Sequence, residues 1–384
     1  MQFETFYYTK GKGWSVSAMP KWDSERTLVL AFCAPEFSQF QAPIKELAKA
    51  YPNSKFIGCS TAGEIYNPQI FDNSISVSVI KFEKTDIQIV QTQVKSMSDS
   101  YKAGELIAGK LKESNLRGIF VLSEGLQVNG SELVKGLNKA AELNEDIVIT
   151  GGLAGDGKDF KNTWAIFNGE VKQNTVVAVG FYGNDIKIGH GSRGGWDIFG
   201  PERQITRSKN NVLYELDETP ALKLYKEYLG ERASGLPATG LLYPLAIRKN
   251  EKDPKQLVRT ILAVNEDEQS LTFAGDVPVG YLAQLMRANF DRLISSASEA
   301  GDLAILNDDK QKETKPVLAI AISCVGRRLL LGERTEEETE SVMEAMPKGS
   351  KQVGFYSYGE LSPYTKGNCD LHNQTMTLTT LSEK

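Results

Sequence analysis

Apolar residues in this chain come as short compact runs followed by helical spacings, and the order recurs. Residues 27–32 read TLVLAF, a run closed by Ala34-Pro35, after which Phe40, Ile44, Leu47 and Ala48 stand at helical intervals within 38–50. The pattern predicts a strand and then a helix. A second run at 55–58 enters GCSTAGEI, where Gly63 beside Glu64 marks a turn needing unusual backbone angles, and strands follow at 74–82 and 87–94.

The same grammar then restarts. Residues 99–113 predict an amphipathic helix, GIFVL at 118–122 a buried strand, and 130–143 a helix with Leu133, Val134, Leu137, Ala140 and Ala141 on one side. DIVIT at 146–150 runs into GGLAGDG, placing Gly155-Asp156 where Gly63-Glu64 stood, with strands at 164–167, 175–182 and 185–190. The first 190 or so residues thus read as an internal duplication. A third copy closes the chain: a strand at 316–323, an acidic helix at 335–346 capped by Thr335, and a strand at 353–358 meeting Gly359-Glu360. Its last run alternates through His372, Gln374, Met376 and Leu378, as a half-buried strand does.

Between the second and third copies, GHGSRGGWDIFGP at 189–201 is too glycine-rich for a regular element and predicts a loop or a crossing between domains. Beyond it lie a strand-like stretch at 204–216, a helix opened by Thr219-Pro220 and ended by Gly230, four further strands, and a helix at 290–300. The expected fold is α/β, with mixed, largely antiparallel sheets covered by helices and built from repeated βαβ-plus-hairpin units. Two domains are expected, 1–200 carrying the duplication and 201–384, with the ligand site between them.

A formal net charge of −5 and the lack of a dense Lys/Arg stripe argue against nucleic acid as a partner. The four cysteines show no CxxC spacing, and the first residues lack the apolar core of a secretory signal, so a cytoplasmic location is expected. No apolar run approaches the ~20 residues that span a bilayer, and no membrane association is expected.

Cys59 and Ser60 stand beside glycines as a nucleophile would, yet GCSTAG is not a GxSxG elbow and has no nearby histidine to serve as base. A tight turn is the plainer account. The alternative is a polar lining, in which backbone N–H groups of the three Gly-acid turns join Ser60, Thr61 and Glu64 around a ligand. GGLAGDG lacks the Walker Lys-Ser/Thr and the GxGxxG register, which disfavours nucleotide binding. Arg327 or Arg328 offers a guanidinium fork for a carboxylate, and strand alternation lets one of the two face the site. With Tyr356, Tyr358, Glu360 and Asn373, such an arginine would make a pocket for an amino acid or similar zwitterion. The two histidines, His190 and His372, form no HxH, HExxH or CxxCH arrangement, which argues against zinc and covalently attached haem but not against haem held by one axial ligand.

Several long motifs carry a family resemblance: GCSTAGEI at 58–65, TGGLAGDG at 150–157, NVLYELDETPALKLYKEYLG at 211–230, CVGRRLLLGERTEEE at 324–338, GFYSYGEL at 354–361 and LHNQTMTL at 371–378. The chain resembles FIST proteins, with the N-terminal and C-terminal domains of that family, over essentially its whole length. The resemblance implies a sensory module for small ligands in signal transduction rather than an enzyme, with a separate histidine kinase or cyclase as output. The expected ligand-lining residues are Cys59, Ser60, Thr61, Glu64, Gly155, Asp156, Arg327, Tyr356, Tyr358, Glu360 and Asn373. Segments 23–32, 122–133 and 189–203 are similar to the stand-alone NosP group, which implies haem b, nitric oxide as the gas ligand and a histidine kinase partner. His190 is then the first candidate for the iron ligand and His372 the second, with Trp196 and Phe199 walling the macrocycle. The rival accounts are a haem-free receptor for amino-acid-like ligands and a metabolic enzyme using Cys59 or Cys324.

Overall fold

The computed structural model describes residues 1–140, 146–305, 315–364 and 367–384. The first unit comprises β1 (Gln2–Thr9), β2 (Gly13–Trp14), β3 (Thr27–Cys33), α1 (Phe37–Ala50), β4 (Lys55–Ser60), β5 (Glu64–Tyr66), β6 (Gln69–Phe71) and β7 (Ser74–Lys81). The second has β8 (Asp86–Gln93), α2 (Ser100–Leu111), β9 (Leu116–Ser123), α3 (Gly130–Leu137), β10 (Val148–Leu153), β11 (Ala165–Phe167), β12 (Glu170–Lys172) and β13 (Thr175–Tyr182). The third opens with β14 (Ile186–Arg193) and is interrupted by an inserted sheet. That insert holds β15 (Asp197–Lys209), β16 (Val212–Leu216), β17 (Thr219–Pro220), α4 (Ala221–Leu229), β18 (Leu245–Arg248), β19 (Leu257–Arg259), β20 (Ile261–Asn265), β21 (Ser270–Phe273) and β22 (Leu282–Arg287). The unit resumes with α5 (Phe290–Ile305), β23 (Leu318–Cys324), α6 (Val325–Leu331), α7 (Thr335–Ala345), β24 (Lys351–Ser357), β25 (Gly359–Pro363), β26 (Cys369–His372) and β27 (Met376–Glu383).

In each unit two buried strands run parallel, β3 with β4, β9 with β10 and β23 with β24, and the closing strand pairs antiparallel beside them. The short hairpin then leaves its own unit. Strands β5 and β6 extend the third sheet through β24, β11 and β12 extend the first through β4, and β25 and β26 extend the second through β10. Each sheet is therefore completed by a neighbour, in a cyclic exchange.

Strand alternation explains why the three sheets face one another. Leu28, Leu30 and Phe32 of the first sheet, Phe120, Leu122 and Val179 of the second, and Ile320, Ile322 and Phe355 of the third share one buried cluster. Phe32 and Phe355 stack at 4.9 Å between ring centres. The intervening Val29 and Ala31 face the other way, onto Phe40, Ile44 and Leu47 of α1. Full burial of such a side chain contributes ~1.5–3 kcal/mol, so this shared core holds the exchanged sheets together. Gly58, Gly151 and Gly354 occupy matching places on the second parallel strand of each unit. A Cβ there would lie 2.2, 1.9 and 1.8 Å from the carbonyl oxygens of Ala31, Val121 and Ala321 on the strand alongside.

The mixed α/β class and the repeated unit are as the hydrophobic pattern predicts, while several local expectations need correction. Residues 189–201, expected to be irregular, are the end of β14 and the start of β15, joined at 194–196. Their glycines thin the strand rather than break it: a Cβ on Gly189 or Gly191 would come within 1.8 or 1.9 Å of the carbonyl oxygens of Ala304 and Ala300, because α5 lies directly on β14. The stretch at 204–216 splits into two strands at Asn210, which takes φ 52°. Thr335 does not cap α7 but is its first residue, its hydroxyl donating to the Gly332 carbonyl. Arg327 and Arg328 sit on α6 rather than at a strand end. Helix α3 ends at Leu137, and the expectation for 141–143, Ala141 included, falls outside the described residues.

Candidate functional site

The three turns expected to matter do meet, at the C-terminal ends of β4, β10 and β24. The Ala62 N–H donates to the Tyr356 carbonyl at 2.8 Å, Tyr358 N–H to Leu153 at 3.2 Å, and Gly155 N–H to Ser60 at 3.1 Å. First unit bonds to third, third to second, second to first. This ring also sets the equivalences, for Ala62, Tyr358 and Gly155 occupy the same place in it. Gly63-Glu64 and Gly359-Glu360 therefore match, whereas Gly155-Asp156 stands one residue early. In the hairpin registers Glu64 faces Phe355, Glu360 faces Gly152, and the corresponding residue of the second unit is Ala165, which faces Cys59.

The matched acids share their surroundings. Glu64 is buried and accepts from the Thr61 hydroxyl, the Ser74 N–H at 3.1 Å and the Ser74 hydroxyl at 2.6 Å. Glu360, equally buried, accepts from the Ser357 hydroxyl at 2.7 Å and the Thr375 N–H at 3.3 Å. Burial pushes Glu64 up to about 8 and raises Glu360 well above its ordinary value, disfavouring the charged form of both. Asp156 differs. Burial acts to raise its pKa, but the Tyr358 hydroxyl and the N–H groups of Asn162, Lys161 and Phe160 outweigh it, and the net shift is downward. The turn thus carries an acid whose charged form is favoured in the second unit and acids whose charged form burial disfavours in the other two.

On α6 the two arginines part. Arg327 is fully buried, with Nε 2.5 Å from Glu338 of α7 and its remaining nitrogens on the carbonyls of Gly194, Gln374 and Leu293. Glu338 also accepts from Ser323 at 3.1 Å and Tyr356 at 2.9 Å. This acid comes from a helix whose composition reads as a solvated face, so Glu338 was hidden in the sequence. Arg328 instead forks onto Asp72 at 2.9 and 2.8 Å, donates to the Ala62 carbonyl at 2.6 Å, and lies over the Tyr356 ring at 5.7 Å. Gly63 makes room for it, with φ 130° and a hypothetical Cβ 2.3 Å from the Arg328 Nη1. Beside this arginine opens a cleft of about 600 Å³ lined from all three units, by Asp72 of the first, Lys158 of the second, and Arg328, Glu333 and Glu336 of the third. Asp72 and Lys158 were missed by sequence reasoning, since each lies in a turn or insertion whose neighbours carry no chemical pattern.

The family model described as the FIST N domain matches residues 27–219, and that of the FIST C domain matches 221–363. This chain belongs to the FIST family. FIST domains are sensory domains of signal transduction that bind small ligands. An uncharacterized protein of Methanocaldococcus jannaschii is 25% identical over 355 residues, covering 80% of this chain; the match spans 64% of that relative's length. A solved structure of cyanuric acid hydrolase from A. caulinodans aligns at 11% identity over 78% of this chain and 99% of that one, with a TM-score of 0.19. A likeness at that level identifies neither fold nor activity.

The other candidate residues of this FIST protein lie apart from the cleft. All four cysteines are free and buried, and burial raises the pKa of each thiol; Cys59 belongs to the shared core between the sheets. The Ser60 hydroxyl accepts from the Trp164 N–H at 3.1 Å, and the Asn373 amide donates to the His372 carbonyl at 3.0 Å. His372 is buried with Nε2 2.9 Å from the Ser362 carbonyl, and burial lowers its pKa to about 3. His190 is half-buried on β14; burial also lowers its pKa, and its imidazole has no hydrogen-bond partner among the described residues. The buried Trp196 donates to the Gln374 carbonyl at 2.9 Å, while Phe199 packs on Tyr243 of the inserted region at 5.3 Å. Trp196 and His372 share a cleft of about 170 Å³ lined by neither His190 nor Phe199. Among the described residues no three His, Cys, Asp or Glu side chains gather as a metal cluster, and no helix is long and apolar enough to cross a membrane.

Proposed function

We propose that this FIST protein is a receptor that takes a small, amino-acid-like zwitterion in the cleft beside Arg328, without haem, and reports occupancy to a separate histidine kinase or cyclase. The observation that carries this reading is the cleft's mixed charge. Lys158 is available to a carboxylate and Glu333 and Glu336 to an ammonium, while Arg328 and Asp72, paired with each other, take the ligand's two charges only by opening that pair, and these charges come from three different units. A bound zwitterion would bridge units already joined through the ring of turns, which gives occupancy a route to the rest of the fold. The buried, protonated thiols of Cys59 and Cys324 support a receptor over a cysteine-dependent enzyme, because the thiolate is the nucleophile. Isothermal titration of the protein against the free amino acids is expected to find at least one that binds, and Arg328→Ala is expected to weaken it by about tenfold or more. No heat with any of them, or equal affinity in the variant, would refute the proposal.

Nitric oxide sensing through haem b is the second reading, favoured by His190, whose half-buried neutral imidazole has no hydrogen-bond partner among the described residues. The remaining residues fit the group poorly. His372 is committed to the Ser362 carbonyl, Trp196 and Phe199 pack in different places, and the cleft beside Trp196, about 170 Å³, is smaller than the roughly 300 Å³ at which ligand pockets begin. A Soret band after haem reconstitution that disappears in His190→Ala would favour this reading over the haem-free receptor.

A further inference from the structure

A different cleft, of about 280 Å³, lies where the inserted sheet meets α3 and the hairpin strand β26. Five basic side chains line it, Lys135, Arg248, Lys249, Lys255 and Arg259, beside the acids Asp253, Asp276 and Asp370. Three of the cations are matched by carboxylates: Arg248 forks onto Glu202, Lys255 pairs with Asp370, and Lys135 lies between Glu132 and Asp276.

Arg259 is not matched in this way. Only 4% exposed, it donates from Nε to the Asp276 carbonyl at 2.9 Å and from Nη1 to the carbonyls of Val258 and Leu371, both at 3.1 Å. Among the described residues no carboxylate comes within ion-pair distance of it and nothing accepts from Nη2, while the side chain forms part of the cleft wall. Gly275 leaves space alongside, since a Cβ there would stand 3.0 Å from the Arg259 Nε. Burial lowers the Arg259 pKa to about 10, which still leaves it charged at neutral pH. Asp276 and Asp370 favour its charged form electrostatically without an ion-pair contact, and burial outweighs them, so an anion on Nη2 would supply the direct partner that this guanidinium lacks.

We propose that this cleft is a second ligand site, for a compact oxyanion presented as a phosphate or carboxylate group, anchored on Arg259. The volume admits a small anion rather than a nucleotide-sized one, being near the lower limit of ligand pockets at roughly 300 Å³. Lys249 is exposed on the cleft wall, where it adds to the attraction. Because Arg259 belongs to the inserted sheet and bonds Leu371 of the exchanged hairpin, a seated anion would fasten those two parts together. The inference is independent of the cleft beside Arg328.

Calorimetry and thermal melts of the full chain with inorganic phosphate and with succinate, at fixed ionic strength with sodium chloride as control, test it. At least one of the two probes is expected to bind saturably and raise Tm, and which one does so tells phosphate from carboxylate. Amide exchange is expected to slow at 257–259 and 369–372. Arg259→Gln is expected to weaken binding by about tenfold or more. If that variant fails to fold, Lys249→Glu, on an exposed side chain, is expected to weaken binding by about fivefold with the fold intact. Melts that respond to neither probe beyond the chloride control, protection confined to other segments, or wild-type affinity in the folded variants would overturn the proposal; an Arg259 that serves structure alone predicts those results.

Discussion

Replacing Glu64 by Gln should flatten the pH dependence of stability between about pH 5 and 8. Glu64 is fully buried, and its pKa rises from 4.5 to about 8 because burial disfavours the charged form more than the Ser74 and Thr61 donors favour it. Between those values the folded chain keeps a proton that the unfolded chain has released. Stability therefore falls as pH rises through the window and levels off above the folded pKa. A shift of about 3.5 pH units at about 1.36 kcal/mol each sets a ceiling of roughly 5 kcal/mol on the effect. Glutamine keeps the shape and, like the protonated acid, offers an acceptor and a donor, but its amide brings a second N–H that must find a partner, at about 1–3 kcal/mol. Urea denaturation of both proteins from pH 5 to 8, at constant ionic strength, should show the wild type more stable at the acid end. The difference should shrink by up to about 1.4 kcal/mol per pH unit. Glu360 and Asp370, whose pKa values are also raised by burial, titrate in both proteins and drop out of the difference. Curves that stay parallel across the window would mean that Glu64 is charged in the fold, and the account of its turn would be wrong.

Arg327→Met should destabilise the protein by about 3–5 kcal/mol, since Glu338 is left buried and unpaired. The double variant with Glu338→Leu should regain much of that loss in the same denaturation assay, and a double variant no more stable than the single one would count against the pair. Gly354→Ala should lower Tm with a loss of at least about 1–3 kcal/mol, because the added Cβ overlaps the Ala321 carbonyl oxygen at 1.8 Å. An unchanged melt would show that β24 is free to shift away from β23.

The repeated unit was legible because its two periodicities are local. Strands such as TLVLAF and helices such as 38–50 carry their own signal, and Gly63 and Gly359 mark their turns in advance. The exchange of hairpins was not legible, since pairing β5 with β24 rather than with its own sheet changes no local pattern. Residue type also misled where tertiary packing decides. Gly189 and Gly191 read as loop residues, yet they are strand positions thinned to admit α5. For Arg327 and Arg328, strand alternation correctly separated the pair but for the wrong reason. On a helix, neighbours point about 100° apart, which sends Arg327 inward to Glu338 and Arg328 out to the cleft. Of the residues expected to line a ligand, Ser60, Gly155, Tyr356 and Tyr358 join the ring through their backbones, so their importance there lies in positioning.

The departures from three-fold symmetry explain why the cleft beside Arg328 carries charges of both signs. A strict repeat would place a buried acid of raised pKa at each turn, as Glu64 and Glu360 do. The second unit puts Ala165 at that place and inserts 156–163 before it, so its acid, Asp156, is charged and held by backbone N–H groups and Tyr358. That insertion also delivers Lys158 to the cleft and stacks Phe160 on Tyr358 at 4.4 Å. The third unit departs in another way, placing α6 after β23 where the first has Ala34-Pro35, and α6 carries Arg328 across to Gly63 and Asp72. The symmetric part of the sequence therefore builds the ring, and the asymmetric parts bring opposite charges to one side of it. A ligand that bridges Lys158 to Asp72, or opens the Arg328–Asp72 pair, must touch the segments in which the repeats differ, and each of those segments is fastened to the ring by a named bond: Tyr358 to Asp156, and Arg328 to the Ala62 carbonyl.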